Sequence, residues 1–231
     1  MPGDFSNFRT FEIDRHVPAP RPVRRAAAID PTIRLLLGAA AWHRLAAPVR
    51  RRFAVKPLPG RAFVWAGTME VVHLSRVGRA FAGLLRFCGM PLAPWIGRDV
   101  PATITLTSVG TAAGTHATQW ARRYDFARAS VIVSSRKTLD AKLKLLELTR
   151  GGLGMRLSVA ELSGALCFAS QRFFWRIGRL TVPIPLLLTP GRLTVDHEEL
   201  GGGTFRFSLA MRHPLCGLTV FQTGVFRAVE E

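Results

Sequence analysis

The chain has 231 residues, of which 48% are hydrophobic, enough to bury a sizeable core in one large or two small domains. The 32 Lys and Arg residues outnumber the 15 Asp and Glu residues and give a formal net charge of +17. The three cysteines, Cys88, Cys167 and Cys216, lie far apart in apolar settings, which excludes CxxC and Cys/His metal spacing. Free, buried, reduced thiols, typical of a cytoplasmic protein, are therefore predicted.

The positive charge has two interpretations. A functional one is affinity for phosphate, in nucleic acid or in anionic lipid. The other is a solvated basic surface. The N-terminus lacks the basic and then apolar pattern of a signal peptide, and the longest apolar stretch, near 182–188, contains Pro183 and Pro185. We therefore expect no transmembrane segment and a cytoplasmic location, with peripheral membrane contact left open.

Residues 1–29 are predicted to be a disordered basic tail, because Pro18, Pro20 and Pro22 alternate with arginines there. The remainder, 30–231, is predicted to be a single β-rich domain. Asp30 and Pro31 form a helix start, a capping residue followed by proline. A second short helix is expected from Pro48.

A strand is predicted at 63–73, where apolar residues alternate, and a helix near 77–88, where apolar spacing becomes helical. Strands dominate from residue 101 onward, with glycine-rich turns at 110–114, 151–154 and 201–203. The predicted strands are 102–109, 115–125, 128–135, 141–149, 155–162, 165–176, 192–199, 204–212 and 218–227.

One strand shows the pattern most clearly. Phe205, Phe207, Leu209 and Met211 share one face, and Arg206 lies on the other. Such one-sided strands predict a mainly β (α+β) fold, a strongly curved antiparallel sheet or barrel of about eight to ten strands, because curvature buries the apolar face. One or two N-terminal helices accompany it.

Three segments carry a resemblance to a known family. They are 42–53 (WHRLAAPVRRRF), 119–124 (QWARRY) and the stretch from Pro183 through 203–207 (GTFRF) and 213–217 (HPLCG) to 224–226 (GVF). Together they resemble the bacterial domain-of-unknown-function 4166 family over roughly 35–228.

The resemblance implies a domain that occurs alone or after a saccharopine-dehydrogenase-like NAD(P)-binding domain. This chain has no GxGxxG after a strand, so we expect no dinucleotide-binding half within it. The family provides no active site to carry over. An aromatic residue usual near the end of the family pattern is replaced here by Gln222.

The strand 115–125 presents Trp120, Arg122 and Tyr124 on one face, and these residues are candidates for binding a ligand carboxylate or phosphate. They also suit an aromatic core with a paired arginine. Glu70 and Glu147 lie in apolar strands, and we expect either to pair with Arg122 or Arg123 inside a barrel, because buried carboxylates need partners.

The triplet Arg50, Arg51 and Arg52 is a candidate anionic surface or a solvated helix face. His197 points away from Asp196 and Glu198 on a strand, so no metal site is predicted. His213 is interpreted as a turn or core residue. No catalytic motif is present, so no catalytic residue and no cofactor are predicted, and an enzyme is disfavoured.

Three functions are open. The first is non-catalytic binding of an apolar or amphipathic small molecule. The second is an accessory module for a separately encoded NAD(P)-dependent oxidoreductase. The third is a peripheral membrane protein that uses Arg50 to Arg52 with Phe81, Leu84 and Phe87 on anionic lipid.

Specific nucleic-acid binding is not expected, despite the charge. Single-strand recognition needs aromatic and basic side chains on the same sheet face. Phe205 and Phe207 lie opposite Arg206, and Phe173 and Trp175 lie opposite Arg172 and Arg176. The pattern is typical of an apolar interior inside a basic shell.

Overall fold

The computed structural model describes residues 27–86, 92–110, 116–178 and 180–229. The helices within these ranges are α1 Thr32–Leu37, α2 Ala39–Arg44, α3 Ala47–Phe53 and α4 Arg76–Leu85, with a short 3-10 helix at Leu186–Leu188. The strands are β1 Ala27–Ile29, β2 Val55–Pro57, β3 Ala62–Leu74, β4 Gly97–Gly110, β5 His116–Asp125, β6 Ser130–Leu139, β7 Leu145–Leu148, β8 Leu153–Leu162, β9 Ala165–Ile177, β10 Leu180–Ile184, β11 Arg192–Gly201, β12 Thr204–His213 and β13 Gly217–Ala228.

The large sheet is a closed antiparallel barrel. Across the described residues, ten strands follow one another in the order β9-β11-β12-β13-β3-β4-β5-β6-β7-β8, and pairing of β8 with β9 closes the ring. Inward-facing residues such as Phe207, Phe226 and Met69 are almost fully buried, which is what one-sided alternation predicts. The predicted fold class is confirmed, and the open alternative to a barrel is excluded by the β8–β9 pairing.

Strand β9 is longer than its neighbours and serves two of them on the same side. Its first half pairs with β11, for example Phe168 with Val195, and its second half pairs with β10, for example Trp175 with Val182. The β10 strand was not predicted, because the stretch near 182–188 was considered only as a membrane span that Pro183 and Pro185 interrupt. Proline is tolerated there because β10 pairs with β9 alone and is an edge strand outside the barrel.

The N-terminal segment differs in detail from the prediction. Asp30 Oδ1 accepts a hydrogen bond from the Thr32 backbone N–H at 3.0 Å, so the predicted start is correct. Gly38 has a φ of +77°, which divides the expected single helix into α1 and α2. Ala27–Ile29, predicted as part of the disordered tail, form β1 because they pair with β2. The rest of that tail, 1–26, lies outside the described residues.

Helices lie at both ends of the barrel. Helix α3 contacts β11, and α1 and α2 contact β8. These three helices therefore lie at the end of the barrel that contains the turn between β8 and β9. Helix α4 packs against β3 and β13 at the opposite end, and the Ser75 hydroxyl caps it by accepting from Gly78 N–H at 3.1 Å. The helix predicted near 77–88 is thus confirmed up to Leu85, and Phe87 and Cys88 lie outside the described ranges.

Strands β3 and β13 approach each other closely at two glycines. A β-carbon built on Gly67 would lie 2.0 Å from the Val225 carbonyl oxygen, and one on Gly224 would lie 2.5 Å from the Thr68 carbonyl oxygen. The register between these strands shifts at the same place, between Thr223 and Val225. Glycine is therefore required where the bulged strand bends against its neighbour.

The cysteine prediction is partly wrong. Cys167 and Cys216 are both free, as predicted. Cys167 is half-buried, and burial together with the neighbouring Asp196 raises its pKa to about 12. Cys216, however, is exposed, because it lies in the turn between β12 and β13 rather than on an inward face.

Candidate functional site

A cavity of about 1310 Å³ runs along β5, β6 and β7 and reaches the end of the barrel where α1 and α3 lie. Aromatic side chains that point into the barrel, Phe53, Trp120 and Phe168, form part of its wall. The ionisable side chains in its lining are six cations, Arg52, Lys56, Arg136, Lys137, Arg150 and Arg176, and two carboxylates, Asp30 and Asp140. The cavity therefore combines an aromatic wall with an excess of positive charge.

The three predicted residues on β5 all face the barrel interior. Trp120 is 8% exposed and Tyr124 is 2% exposed, and the Arg122 guanidinium lies 5.4 Å from the centroid of the inward-facing Phe207 ring. Strand alternation therefore brings Trp120, Arg122 and Tyr124 together, as predicted. Of these three, Trp120 lines the cavity, and Arg122 and Tyr124 lie in the interior behind it.

The two predicted glutamates lie on opposite faces of the barrel wall. Glu147 on β7 is buried inside, where it pairs with Lys137 at 3.0 Å and accepts a hydrogen bond from Ser135 at 2.5 Å. Glu70 lies on the outer face and contacts Arg206 at 3.4 Å. The expected pairing with Arg122 or Arg123 is thus wrong: Glu70 faces away from the interior, and Lys137 on the adjacent strand is closer to Glu147. Arg123 pairs with Asp125.

Glu147 and Lys137 form a charge pair inside the barrel. Burial alone would raise the pKa of Glu147, but Lys137, Arg122 and the hydrogen bonds from Ser135 and Lys137 together lower it. Burial and the nearby Arg122 lower the pKa of Lys137, against the opposing effect of Glu147. Glu147 is therefore ionised at neutral pH.

Arg52 does not belong to the surface patch predicted for Arg50, Arg51 and Arg52. It points from α3 into the barrel, pairs with Glu199 at 3.2 Å and lies 3.7 Å above the centroid of the Phe205 ring. Burial lowers its pKa, although Glu199 opposes this effect. Arg50 donates a hydrogen bond to the His43 carbonyl oxygen at 2.6 Å, and Arg51 is exposed. The helical periodicity of α3 explains the difference, because Arg52 and Phe53 both face the barrel.

His197 occupies the centre of the aromatic cluster at this end of the barrel. Its ring lies 5.1 Å from that of Phe53 and 5.6 Å from that of Phe207, with edge-to-face geometry in both cases. Burial, followed by the charges of Arg52, Lys137 and Arg122, lowers its pKa well below the usual value, so the ring is neutral. Sequence reasoning considered His197 for metal binding and missed this position, although its strand parity with Val195 was a usable signal.

Several polar atoms in this interior have no hydrogen-bond partner within the described part of the chain. They are Arg52 Nη1, Trp120 Nε1, Arg122 Nε and His197 Nδ1. Buried polar groups are normally hydrogen-bonded, so four such atoms in one region are unusual. Arg206 Nε also lacks a partner, but it lies on the outer face.

Gln222 makes a polar contact across the barrel interior. It is 2% exposed on β13, and its Oε1 accepts a hydrogen bond from the Tyr124 hydroxyl at 3.1 Å. Burial raises the pKa of Tyr124, although Arg122 opposes this effect, so the phenol remains a hydrogen-bond donor. The pair is a polar bridge across the barrel interior.

The other histidine considered from the sequence, His213, is the buried last residue of β12 and stabilises the turn that follows, which fits the prediction of a turn or core residue. His213 Nδ1 accepts hydrogen bonds from the backbone N–H groups of Leu215 and Cys216, at 3.2 and 3.3 Å. No group of three or more His, Cys, Asp or Glu side chains lies together among the residues that are described. None of the helices in the described ranges is both long enough and apolar enough to cross a membrane.

The sequence model of the family described as domain of unknown function (DUF4166) matches residues 45–226. The match covers most of the chain, from just before α3 to near the end of β13, so the chain belongs to this family. Searches among curated proteins and among solved structures found no significant match.

Proposed function

We propose that this member of the DUF4166 family binds an apolar or amphipathic small molecule in the cavity beside β5, β6 and β7. The observation that carries the proposal is the cavity itself, about 1310 Å³ with Phe53, Trp120 and Phe168 in its wall. Typical sites for small molecules have volumes of about 300–1,000 Å³ and mostly apolar linings with a few placed polar groups. This cavity is larger than that range, so it has room for a whole small molecule.

The walls of the cavity suit a preformed site. Strands β5 and β6 are held by a continuous ladder of pairs, and Trp120 stacks on Trp65 with ring centroids 6.2 Å apart. Phe53 lies 6.2 Å from Trp120 and reaches the same wall from α3. A rigid site loses little conformational entropy on binding, which favours affinity for a small molecule.

Blocking the rim of the cavity tests the proposal. Native mass spectrometry of freshly purified protein is expected to detect a bound small molecule. Ala141 is exposed and lines the cavity, so Ala141→Trp places an indole across it and is expected to weaken binding at least about tenfold. The readout is calorimetric titration with the copurified molecule, or with dodecan-1-ol where none is retained.

The matched control is Ala160→Trp, which adds the same indole at an exposed position of β8 outside the cavity lining. It is expected to bind as the unmodified chain does. Equal affinity of both variants, or no binding by the unmodified chain, would contradict the cavity as a binding site.

A second candidate function is peripheral contact with anionic membranes, and the β9–β10 hairpin favours it. Four large apolar side chains there are 40% to 63% exposed: Trp175, Ile177, Leu180 and Val182. Arg172 and Arg176 are exposed on the same hairpin. Apolar side chains flanked by arginines suit insertion at the boundary of an anionic bilayer. The surface expected from the sequence is divided, because Arg50 and Arg51 on α3 and the exposed Leu84 on α4 lie at opposite ends of the barrel, and Phe87 lies outside the described residues.

Vesicle flotation tests the membrane hypothesis. We expect the chain to float with vesicles that contain anionic lipid and to be released at high salt. Leu180→Asp together with Val182→Asp is expected to reduce the floated fraction at least about threefold, because charged side chains enter lipid poorly. A matched pair on another exposed surface, Leu200→Asp with Leu215→Asp, is expected to leave it unchanged. If neither pair of substitutions changes the floated fraction, the hairpin is not the membrane contact. The hairpin would then be available to a protein partner, such as a separately encoded NAD(P)-dependent oxidoreductase.

A further inference from the structure

We infer that the small molecule carries an anionic head group, a carboxylate or a phosphate, which binds to Arg52, Trp120 and Lys137. This inference rests on the proposed function, because it assumes that the cavity binds a ligand. It adds the chemical class of that ligand and the side chains that receive its polar end. Three independent observations support it: the charge balance, the unpartnered donors and the position of the apolar wall.

The first observation is the charge balance of the barrel interior. Among the described residues, the barrel interior contains three cations, Arg52, Arg122 and Lys137, and two carboxylates, Glu147 and Glu199. Glu199 pairs with Arg52 and Glu147 pairs with Lys137. No carboxylate lies within 4.0 Å of Arg122 among the described side chains, so Arg122 has no ion-pair partner of its own, and the interior cations outnumber the interior carboxylates by one. Glu161, near the end of β8, does not change this balance because Arg44 pairs with it at 2.7 Å.

An unbalanced cation in a buried, low-dielectric region is costly, and a ligand anion would compensate it. The lining of the cavity strengthens the same preference, since six cations and two carboxylates surround it. A concave surface with charges of one sign concentrates its electrostatic field at the opening, so anions are attracted and cations are repelled.

The second observation is a surplus of hydrogen-bond donors in side chains that line the cavity. Trp120 is 8% exposed and the Arg52 side chain is 10% exposed, yet Trp120 Nε1 and Arg52 Nη1 donate no hydrogen bond to any described residue. Indole and guanidinium N–H groups donate only. Their missing partners must be acceptors, and the oxygens of carboxylate and phosphate are acceptors with negative charge. A hydroxyl head group would accept without compensating the charge.

The third observation is that the donors and the apolar wall are adjacent. Lys137 Nζ lies 5.2 Å from the centroid of the Trp120 ring and 5.8 Å from that of Phe168. The ring centroids of Trp120 and His197 lie 6.3 Å apart. The His197 ring centroid lies 6.1 Å from that of Phe205, the ring over which the Arg52 guanidinium packs. A head group between Arg52 and Lys137 would therefore leave the remainder of the ligand against Phe53 and Phe168. The geometry suits an anionic amphiphile.

The experiment compares ligands that differ in the head group alone. Dodecanoate, dodecyl phosphate and dodecan-1-ol are titrated into the full chain by calorimetry. The two anions are kept below their critical micelle concentrations and the alcohol below its solubility limit. At least about tenfold tighter binding of the two anions than of the alcohol is expected. Inorganic phosphate is a fourth probe, and binding as tight as that of dodecyl phosphate would support the anion site and assign its ligand to free phosphate.

Two variants test the assigned side chains. Lys137→Met with Glu147→Gln removes a cation and its partner together, so the net charge inside the barrel is unchanged by the pair. We expect it to lower the anion-to-alcohol affinity ratio about threefold or more, because the Lys137 contact is lost while Arg52 and Trp120 remain, and to leave dodecan-1-ol binding within about twofold. Trp120→Phe keeps the aromatic ring and removes the Nε1 donor, and we expect it to lower the ratio about threefold or more. Lys142→Met, at an exposed position outside the lining, is the control and should leave the ratio unchanged.

The outcomes separate this inference from the proposed function. Equal binding of anion and alcohol by the unmodified chain would overturn the inference and leave the cavity as an apolar site. Binding of neither would overturn the proposed function. An anion preference that survives Trp120→Phe and is lost in Lys142→Met would place the anion on the surface and also overturn the inference.

Discussion

Replacing Glu147 with leucine is expected to lower the free energy of unfolding by about 3–5 kcal/mol. Glu147 lies inside the barrel, 3.0 Å from Lys137 and hydrogen-bonded to Ser135. Its removal leaves Lys137 and Arg122 together in the interior without that carboxylate. Breaking a buried pair from one side is costly, because the remaining charge has lost its compensation and is still shielded from water. Urea unfolding followed by circular dichroism measures the change.

The partner variants make the result interpretable. Lys137→Met leaves Glu147 with Ser135 and the charge of Arg122, so we expect a loss of roughly half that of Glu147→Leu. The double variant Lys137→Met with Glu147→Leu should be more stable than Glu147→Leu alone, since Lys137 is no longer left in the interior without its carboxylate. A single Glu147→Leu change that costs less than about 1 kcal/mol would show that Glu147 is not the counterion of this interior.

The same pair predicts a pH dependence. The folded protein lowers the pKa of Glu147, so the carboxylate contributes stability above the unfolded-state value of about 4.3. That contribution disappears as the pH falls through the lower folded-state pKa, because the unfolded chain takes up the proton first. The Glu147→Leu variant should therefore lose less stability than the unmodified chain between about pH 5 and pH 3.

Replacing Gly67 with alanine is the second large effect, with an expected loss of about 3 kcal/mol or more. The new β-carbon would lie 2.0 Å from the Val225 carbonyl oxygen and 2.8 Å from Phe226 Cα. Both atoms belong to the backbone of β13, so they cannot move away without disturbing the β3–β13 pairing. Thermal unfolding, or the yield of soluble protein where the variant does not fold, measures the effect.

Gly83→Ala provides a matched control, because it makes the same chemical change in the exposed helix α4. A β-carbon there would meet no atom within 4 Å. Alanine favours helix over glycine by roughly 0.5–1 kcal/mol, so this variant should be slightly more stable than the unmodified chain. If Gly67→Ala and Gly83→Ala had the same effect, the close approach of β3 to β13 would be refuted.

Local alternation was sufficient to predict most of the barrel. Phe205, Phe207 and Met211 have the same parity on β12, and all three are buried in the interior. Trp120, Arg122 and Tyr124 follow the same rule on β5. Closure by β8 and β9 was not predictable, because it depends on the combined curvature of ten strands rather than on any one of them.

The site was harder to predict, because its charged residues come from different elements. Lys137 was not considered, although it shares the parity of Ser135 and lies on the strand beside Glu147. Arg52 appeared to belong to a surface triplet, and the packing of α3 on the end of the barrel turned it inward. Strand order decides which side chain compensates a buried charge. The local pattern of a single sequence does not reveal that order.

The β3–β13 ladder has a consequence for how the protein is made. It joins the first strand of the barrel to the last, for example Trp65 to Ala228, across nearly the whole domain. A ribosome therefore releases β3 long before its neighbour β13 exists, so β3 pairs with β4 on one side while its other edge stays unpaired through most of synthesis. Closing so long a loop is slow, so the barrel forms after translation of β13 rather than during it. Until then β3 is exposed to aggregation, and nascent-chain chaperones are the cell's protection for such intermediates.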